Sequence, residues 1–283
     1  MDNQDFSAWS SGHPVIWSSP FAVKINMQTV KNESAIIPSF IEFSSGKRLA
    51  YHLSEGKSPG VVFFGGFRSD MTGAKALALE ALCKADGRRF LRFDYSGHGQ
   101  SSGDFTEGTI GEWKQDALDI LDHIAPGENI LVGSSMGGWI MLLAALARPD
   151  RVRGLVGIAS APDFTEMLLW GSATEAQKKQ LRVEGLIHVP SCYGQEPYPI
   201  SYRLIEEGRS HLLLNGDIPL TCPVRLLHGT GDEDVPYRVS EQLMQRLAAT
   251  DVTLTLVKGG GHRLSEPAEL AMIGGMVRGL QED

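Results

Sequence analysis

From residue 38 onward, short apolar runs alternate with longer segments in which apolar residues return every three or four positions. The runs are predicted as strands and the periodic segments as helices. Ser39-Phe40-Ile41-Glu42-Phe43 and Arg48-Leu49-Ala50-Tyr51-His52 form a hairpin pattern joined through Ser44-Ser45-Gly46. Gly60-Val61-Val62-Phe63-Phe64 has no polar position, as expected of a strand covered on both faces. A helix follows over 74–85, with Ala76, Leu77, Leu79, Leu82 and Cys83 as its apolar stripe. Strand 89–93 leads to an amphipathic helix over 110–124, with Trp113, Ala117, Ile120, Leu121 and Ile124 on one side. Then come strand 129–133, helix 136–148 and strand 154–158, and later strand 224–227, helix 239–247, strand 252–257 and helix 266–280. Such alternation predicts an α/β fold, a mostly parallel sheet with helices on both faces.

Residues 162–218 interrupt the rhythm. They hold Met167-Leu168-Leu169-Trp170, the charged pair Lys178-Lys179, Pro190-Ser191-Cys192-Tyr193-Gly194 and Pro197-Tyr198-Pro199. The stretch is too long for an ordinary connection and is predicted as a functional insertion, a short cap on the domain 38–283. Its apolar residues, Leu169 and Trp170 among them, either line a substrate pocket or pack the cap onto the core. Residues 1–37 are read as an N-terminal extension, with Met27 as an alternative start.

The most informative junction is Gly133-Ser134-Ser135-Met136-Gly137, between a predicted strand and a predicted helix. A G-x-S-x-G in that context is a nucleophile elbow, a strained turn that lifts the central serine above the sheet. The glycines admit the close approach of strand and helix. The helix start aims unpaired backbone N–H groups at the same point. Without its flanks, the same pentapeptide is only a flexible loop.

A serine needs a base, and the base an orienting acid. On sheets that carry this elbow the order is serine, acid, histidine, with the last two on loops after late strands. Among eight histidines, His262 follows Gly259-Gly260-Gly261 between the last strand and the last helix. The acid is expected from Thr230-Gly231-Asp232-Glu233-Asp234, with Asp232 favoured and Asp234 as the fallback. Three neighbouring acids also suggest a cation loop, but the spacing is not that of a calcium hand, and no metal is assigned. Phe67, after Gly65-Gly66, and Met136 are the expected backbone donors of an oxyanion hole. His98, in Asp94-Tyr95-Ser96-Gly97-His98-Gly99, is a candidate substrate contact, whereas a structural hydrogen bond is expected of His228. His188 and His211 lie in the insertion and could touch substrate, although exposure is the plainer expectation.

Composition narrows the partners. A formal charge of −8 argues against a nucleic-acid surface, which needs clustered Lys and Arg. No apolar run is long enough to span a bilayer. Three widely spaced cysteines, Cys83, Cys192 and Cys222, suit a reducing compartment as structural thiols. The first 30 residues resemble neither a secretory signal nor an Arg-rich presequence, so a cytoplasmic address is expected.

With these motifs assembled, residues 38–281 resemble the α/β-hydrolase superfamily. More narrowly, they resemble its branch that contains a mitochondrial palmitoyl-protein thioesterase also acting as an acyl-glucuronide esterase. The likeness rests on Arg92-Phe93-Asp94-Tyr95-Ser96-Gly97, on Gly133-Ser134-Ser135-Met136-Gly137-Gly138-Trp139, and on Pro223-Val224-Arg225-Leu226-Leu227-His228-Gly229. It extends through Tyr202 to Leu214 of the insertion. It implies an α/β-hydrolase fold with Ser135 as nucleophile, Asp232 as acid and His262 as base. The implied activity is a cofactor-free serine hydrolase acting on acylated substrates, esters or thioesters. The alternatives are an esterase without thioester preference and a non-catalytic ligand-binding relative. The relative's presequence has no counterpart in this chain.

Overall fold

The computed structural model describes residues 37–189 and 197–281. The expectations for residues 1–36, Met27 included, and for Cys192 and its neighbours lie outside the described residues. The sheet and its helices belong to the unit Pro38–Asp283.

Eight strands form one sheet. The predicted hairpin is β1 (Ser39–Glu42) against β2 (Arg48–Ser54). β2 also runs antiparallel to β4 (Arg88–Phe93). The remaining pairings are parallel and include β3 (Lys57–Phe64), β5 (Asn129–Ser134) and β6 (Val152–Ile158), followed by β9 (Val224–Gly229) and β10 (Val252–Val257). Across the sheet the order is β1-β2-β4-β3-β5-β6-β9-β10. The connecting helices are α1 (Ala74–Ala85), α2 (Ile110–His123), α3 (Met136–Ala147), α6 (Arg238–Arg246) and α7 (Pro267–Gly279).

Strand geometry turns the polar-free run of β3 into two cores, because successive side chains leave opposite faces. Val61 and Phe63 pack with Ala76, Leu79 and Cys83 of α1 and with Ile273 and Val277 of α7. Val62 and Phe64 pack with Trp113 and Ile120 of α2 and Trp139 of α3. Both faces of the sheet are thereby removed from water, which is why this strand needs no polar position.

One predicted stripe is wrong in detail. On α1 the structure buries Ala76, Leu79 and Cys83 but leaves Leu77 38% exposed, and Glu80 takes an inward position instead. Glu80 is drawn in by Arg92 of β4, itself fully buried, whose Nε donates to Oε2 at 2.9 Å. Ser54 Oγ donates to Oε1 at 2.8 Å, and Lys84 Nζ lies 2.7 Å from the same oxygen. Burial pushes the Glu80 carboxyl up, but the hydrogen bonds from Lys84, Ser54 and Arg92 outweigh it and hold it at about 2. Arg92 also donates to the Met71 carbonyl at 2.9 Å, which ties this buried pair to the chain that follows β3.

The insertion is more regular than its sequence suggests. A short π-helical turn over Thr165–Trp170 leads to α4 (Glu175–Glu184), which opens on a capping box between Thr174 and Gln177. β7 (Leu186–Val189) and β8 (Tyr198–Ser201) form an antiparallel ribbon, with α5 (Tyr202–Gly208) directly after it. Pro199 obscures β8 in the sequence, because proline is tolerated in strands only where its missing N–H is not needed.

Removing one partner of a buried pair leaves an uncompensated charge. Arg92→Met is therefore expected to lose about 3 kcal/mol in urea unfolding at pH 7. The carboxyl is depressed from 4.5 to about 2, so its stabilisation is complete above pH 4.5 and is lost as the pH falls toward 2. The deficit of the variant should accordingly narrow in unfolding curves taken below pH 4.

Candidate active site

At the C-terminal end of β3 the chain turns to one side of the sheet, toward β4, while β5 lies on the other side. Such a reversal opens a crevice at the carboxyl ends of the strands, where α/β sheets bind ligands. The segment 65–68 after β3, the turn after β5, and the loops after β9 and β10 all meet there.

Ser135 occupies the turn between β5 and α3 with φ 55° and ψ −123°, in a region that costs a residue with a side chain about 1–3 kcal/mol. The sheet holds it in place. Its N–H donates to Ile158 O of β6 at 2.9 Å, and its carbonyl accepts from Gly138 N–H at 2.9 Å and Ala161 N–H at 3.1 Å. A Cβ at Gly133 would stand 2.5 Å from Gly137 O, and one at Gly137 would stand 2.2 Å from Phe64 O. Both glycines are required by close approach of backbones.

His262 lies in the loop after β10. Its Nδ1–H faces Asp232 Oδ2 at 2.8 Å, and its Nε2 faces Ser135 Oγ at 3.0 Å. The carboxylate can only accept, which places the ring proton on Nδ1 and leaves Nε2 free to accept from the serine hydroxyl. The three glycines before His262 do not leave a free-swinging loop. Gly259 N–H donates to Thr230 Oγ1 at 2.8 Å and Gly231 N–H to Gly260 O at 2.9 Å, while Lys75 Nζ donates to the Arg263 carbonyl. A Cβ at Gly229 would come within 2.1 Å of Gly260 O, so the loops after β9 and β10 touch backbone to backbone.

The Asp232 side chain is sealed from solvent. Its Oδ1 accepts from Asp234 N–H at 3.0 Å and Val235 N–H at 2.8 Å, and its Oδ2 also faces His228 Nε2 at 3.1 Å. Burial alone would raise this carboxyl, but the hydrogen bonds from His228, His262 and Val235 hold it far below the usual carboxylate range. The fallback acid, Asp234, is exposed at the cavity edge and supplies its backbone N–H to Asp232. Asp232, Asp234 and His262 each offer a ligand atom within 4.8 Å of the others. Four N–H groups already engage Asp232, so a cation there would have to displace them.

Phe67 and Met136 border the crevice opposite each other, and among the described residues neither backbone N–H has a protein acceptor. The Phe67 ring is clamped edge-on by Phe105, Trp113, Phe164 and Tyr198. A cavity of about 780 Å³ opens from Ser135. Its lining combines the apolar Phe67, Phe164, Leu168, Leu169 and Ile200 with Tyr198 and the charged Arg68, Asp70, Lys75, Asp234 and Arg263.

Two expected substrate contacts are corrected by the fold. Trp170 lies outside the cavity lining; it tilts against Tyr202 beneath Lys178, Arg182 and Arg209, whose charges stand 5.0–5.5 Å from the ring centroid. Its neighbour Leu169 does line the cavity, because consecutive helical residues face different directions. His98 is 3% exposed and its ring is turned inward. Nδ1–H donates to Ser96 O at 3.2 Å, and Nε2 accepts from Arg68 N–H at 3.2 Å. Burial pulls its pKa down to about 4, with the Ser96 hydrogen bond opposing and Arg68 assisting, so Nε2 keeps its lone pair at neutral pH. His98 thus fastens the segment carrying Phe67, at a residue (Arg68, φ 56°) whose backbone is itself strained. Of the insertion histidines, His211 pairs with Glu207 at 2.6 Å, and neither His188 nor His211 lines the cavity. Arg68 and Tyr198 line the cavity although no sequence motif marks them. The only signal for Arg68 is its place beside Phe67, and Tyr198 arrives through the fold of the insertion.

The alpha/beta hydrolase family matches residues 61–273. The chain belongs to that family. Among its relatives is the mouse palmitoyl-protein thioesterase ABHD10, mitochondrial, 46% identical over 236 residues, covering 83% of this chain and 79% of the mouse protein. The human protein of the same name is 44% identical, with 83% and 77% covered. The solved structure of mouse alpha/beta hydrolase domain-containing protein 10 superposes with TM-score 0.81 at 43% identity, over 87% of this chain and 98% of that one. A crystal structure from Agrobacterium vitis gives TM-score 0.83 at 39% identity, over 87% and 99%. This hydrolase therefore shares an enzyme fold with relatives named for acyl-bond cleavage. The cytoplasmic expectation is overturned by the mitochondrial designation of those relatives. Sparse cysteines indicate a reducing compartment, and that argument does not separate the cytoplasm from another reducing space. Among the described residues no helix is long and apolar enough to cross a membrane.

If His98 holds the segment of Phe67 through the Arg68 N–H, His98→Ala should lower kcat on a nitrophenyl ester roughly tenfold, within the range set by loss of an oriented donor. KM should change little, because Phe164, Leu168, Leu169 and Ile200 of the lining lie on other segments; steady-state kinetics on folded protein check both.

Proposed function

We propose that this hydrolase cleaves acyl thioesters and esters through a covalent acyl-enzyme on Ser135. The observation that carries the reading is the hydrogen-bonded chain from Ser135 through His262 to Asp232, opening on a cavity that Phe164, Leu168, Leu169 and Ile200 help to line. Ser135 Oγ attacks the acyl carbon as its proton passes to His262 Nε2, while Asp232 holds the ring and offsets the imidazolium charge. The Phe67 and Met136 N–H groups receive the negative charge that develops on the acyl oxygen, each worth about 3 kcal/mol at the transition state. The proton on His262 then goes to the departing sulfur or oxygen. Water repeats the sequence on the acyl-enzyme, releasing the acid and returning the proton to Ser135.

The apolar lining residues Phe164, Leu168, Leu169 and Ile200 support a long apolar acyl group. Palmitoyl-protein thioesterase, the name of the relatives, is the activity this lining suits. Their mitochondrial address comes to this chain with the same reading.

Ser135→Ala is expected to abolish labelling by a fluorophosphonate probe and to reduce turnover by about 10⁴-fold or more with the fold intact. A folded variant retaining wild-type turnover would reject the assignment. Rates on oxygen esters and thioesters of one acyl chain decide the bond preference. Leu169→Trp should shift the optimum toward short acyl chains by filling the cavity, and a length profile identical to wild type would place the acyl group elsewhere.

A further inference from the structure

His228 is the penultimate residue of β9 and is completely buried, although it carries two polar ring atoms. Its Nε2 faces two groups that can only accept, Asp232 Oδ2 at 3.1 Å and the Val235 carbonyl at 2.9 Å. Lone pairs do not face each other without a proton between them, so Nε2 carries the hydrogen. In the neutral ring that leaves Nδ1 as an acceptor, and the Ser240 hydroxyl of α6, 1% exposed, stands 2.7 Å away to donate to it. Each polar atom of this buried pair is thereby satisfied, and the Ser240 hydroxyl completes a tautomer that the two acceptors on Nε2 impose.

We infer that His228 is a positioning residue that holds the Asp232 carboxylate for His262, so that two imidazoles share the acid of this site. The inference rests on the proposed roles of Ser135, His262 and Asp232. Two backbone N–H groups pin Oδ1, and His228 pins Oδ2 independently of His262. The carboxylate plane therefore stays oriented while His262 takes up and gives back a proton. The second N–H also draws charge from Oδ2, the oxygen that His262 Nδ1 reaches at 2.8 Å, and so moderates the pull of Asp232 on an imidazolium. Around His262 the charged groups among the described residues include Asp234, in the same turn as Asp232, Arg263, next in the chain, and Lys75, which donates to the Arg263 carbonyl. None of them changes when His228 or Ser240 is substituted.

A purely structural histidine and a positioning one differ in what the conservative variants do. Asparagine places its amide where Nδ1 lies and keeps a partner for Ser240 but loses the donor to Asp232. Glutamine reaches the Nε2 position and keeps that donor. The readout is the pH dependence of the rate at which a fluorophosphonate labels Ser135, which reports the base without a physiological substrate. In His228→Asn the acid limb should move up by about half to one pH unit, the scale of one lost hydrogen bond to an anion shared between two protonation states. In His228→Gln the limb should stay in place. An unmoved limb in the folded asparagine variant, or an equal movement in both variants, overturns the inference and leaves His228 as packing. If His228→Asn does not fold, Ser240→Ala decides: losing the hydroxyl that polarises the ring weakens the Nε2–H donor to Asp232 and should move the limb in the same direction by less, and an unmoved limb overturns the inference. Labelling of Ser135→Ala would instead reject the serine assignment beneath it.

Discussion

Ser135 stands in a backbone region that a residue with a side chain occupies only when its surroundings hold it there. Those surroundings are the centre of the sheet. Its N–H is taken by β6, its carbonyl by the start of α3 and by Ala161, and the two glycines beside it let α3 lie against β3 and β5 at backbone distance. The strain is therefore distributed over rigid, fully buried strands. A serine fixed in this way presents its hydroxyl to the crevice without spending freedom when substrate arrives, which is the physical content of preorganisation.

The second requirement is a buried negative charge. Asp232 is removed from water, a placement that by itself favours the neutral acid. Four N–H groups restore what water would have supplied, so the carboxylate remains charged beside His262. Glu80, on α1 beside β4, solves the same problem with Arg92, Ser54 and Lys84 as its partners. The two sites differ in consequence. Around Glu80 the charges are bound to one another and brace the chain after β3, whereas one partner of Asp232 faces the cavity and can exchange its proton.

The insertion divides its labour in a similar way. Leu168 and Leu169 face the cavity, while Trp170, the most prominent apolar residue of the segment, is spent on the interior of the cap beneath three cations. Arg68 connects the two halves: its Nη1 donates to Pro197 O and its guanidinium lies over Phe105 and Tyr198, while its own N–H is held by His98. The segment carrying Phe67 is thus braced from the core by His98 and from the cap by Arg68. The position of the cap residues lining the cavity and that of the Phe67 segment are linked through the same few contacts.

The order of strands and helices, the elbow, and the candidate partners His262 and Asp232 were legible in the chain itself. Each leaves a local signature: polar-free runs, a 3.6-residue stripe, glycines at fixed offsets from a serine, a histidine and an acid in late loops. The surroundings of Glu80, Trp170 and His98 were not legible, because their partners lie on other elements; the hydrogen bond expected of His228 is present, but its reach to Asp232 was not foreseen. Hydropathy sends a glutamate to solvent unless a buried arginine meets it, and Arg92 does so only after β4 is laid beside α1. His98, in the loop after β4, finds the Arg68 N–H, and His228, near the end of β9, finds the shared oxygen of Asp232. Local patterning thus determined which elements form and which chemistry is available. Tertiary structure alone decided which charges are paired, which apolar residues meet the substrate cavity, and which nitrogen of each histidine carries its proton, because those depend on close contacts between segments that the chain keeps apart.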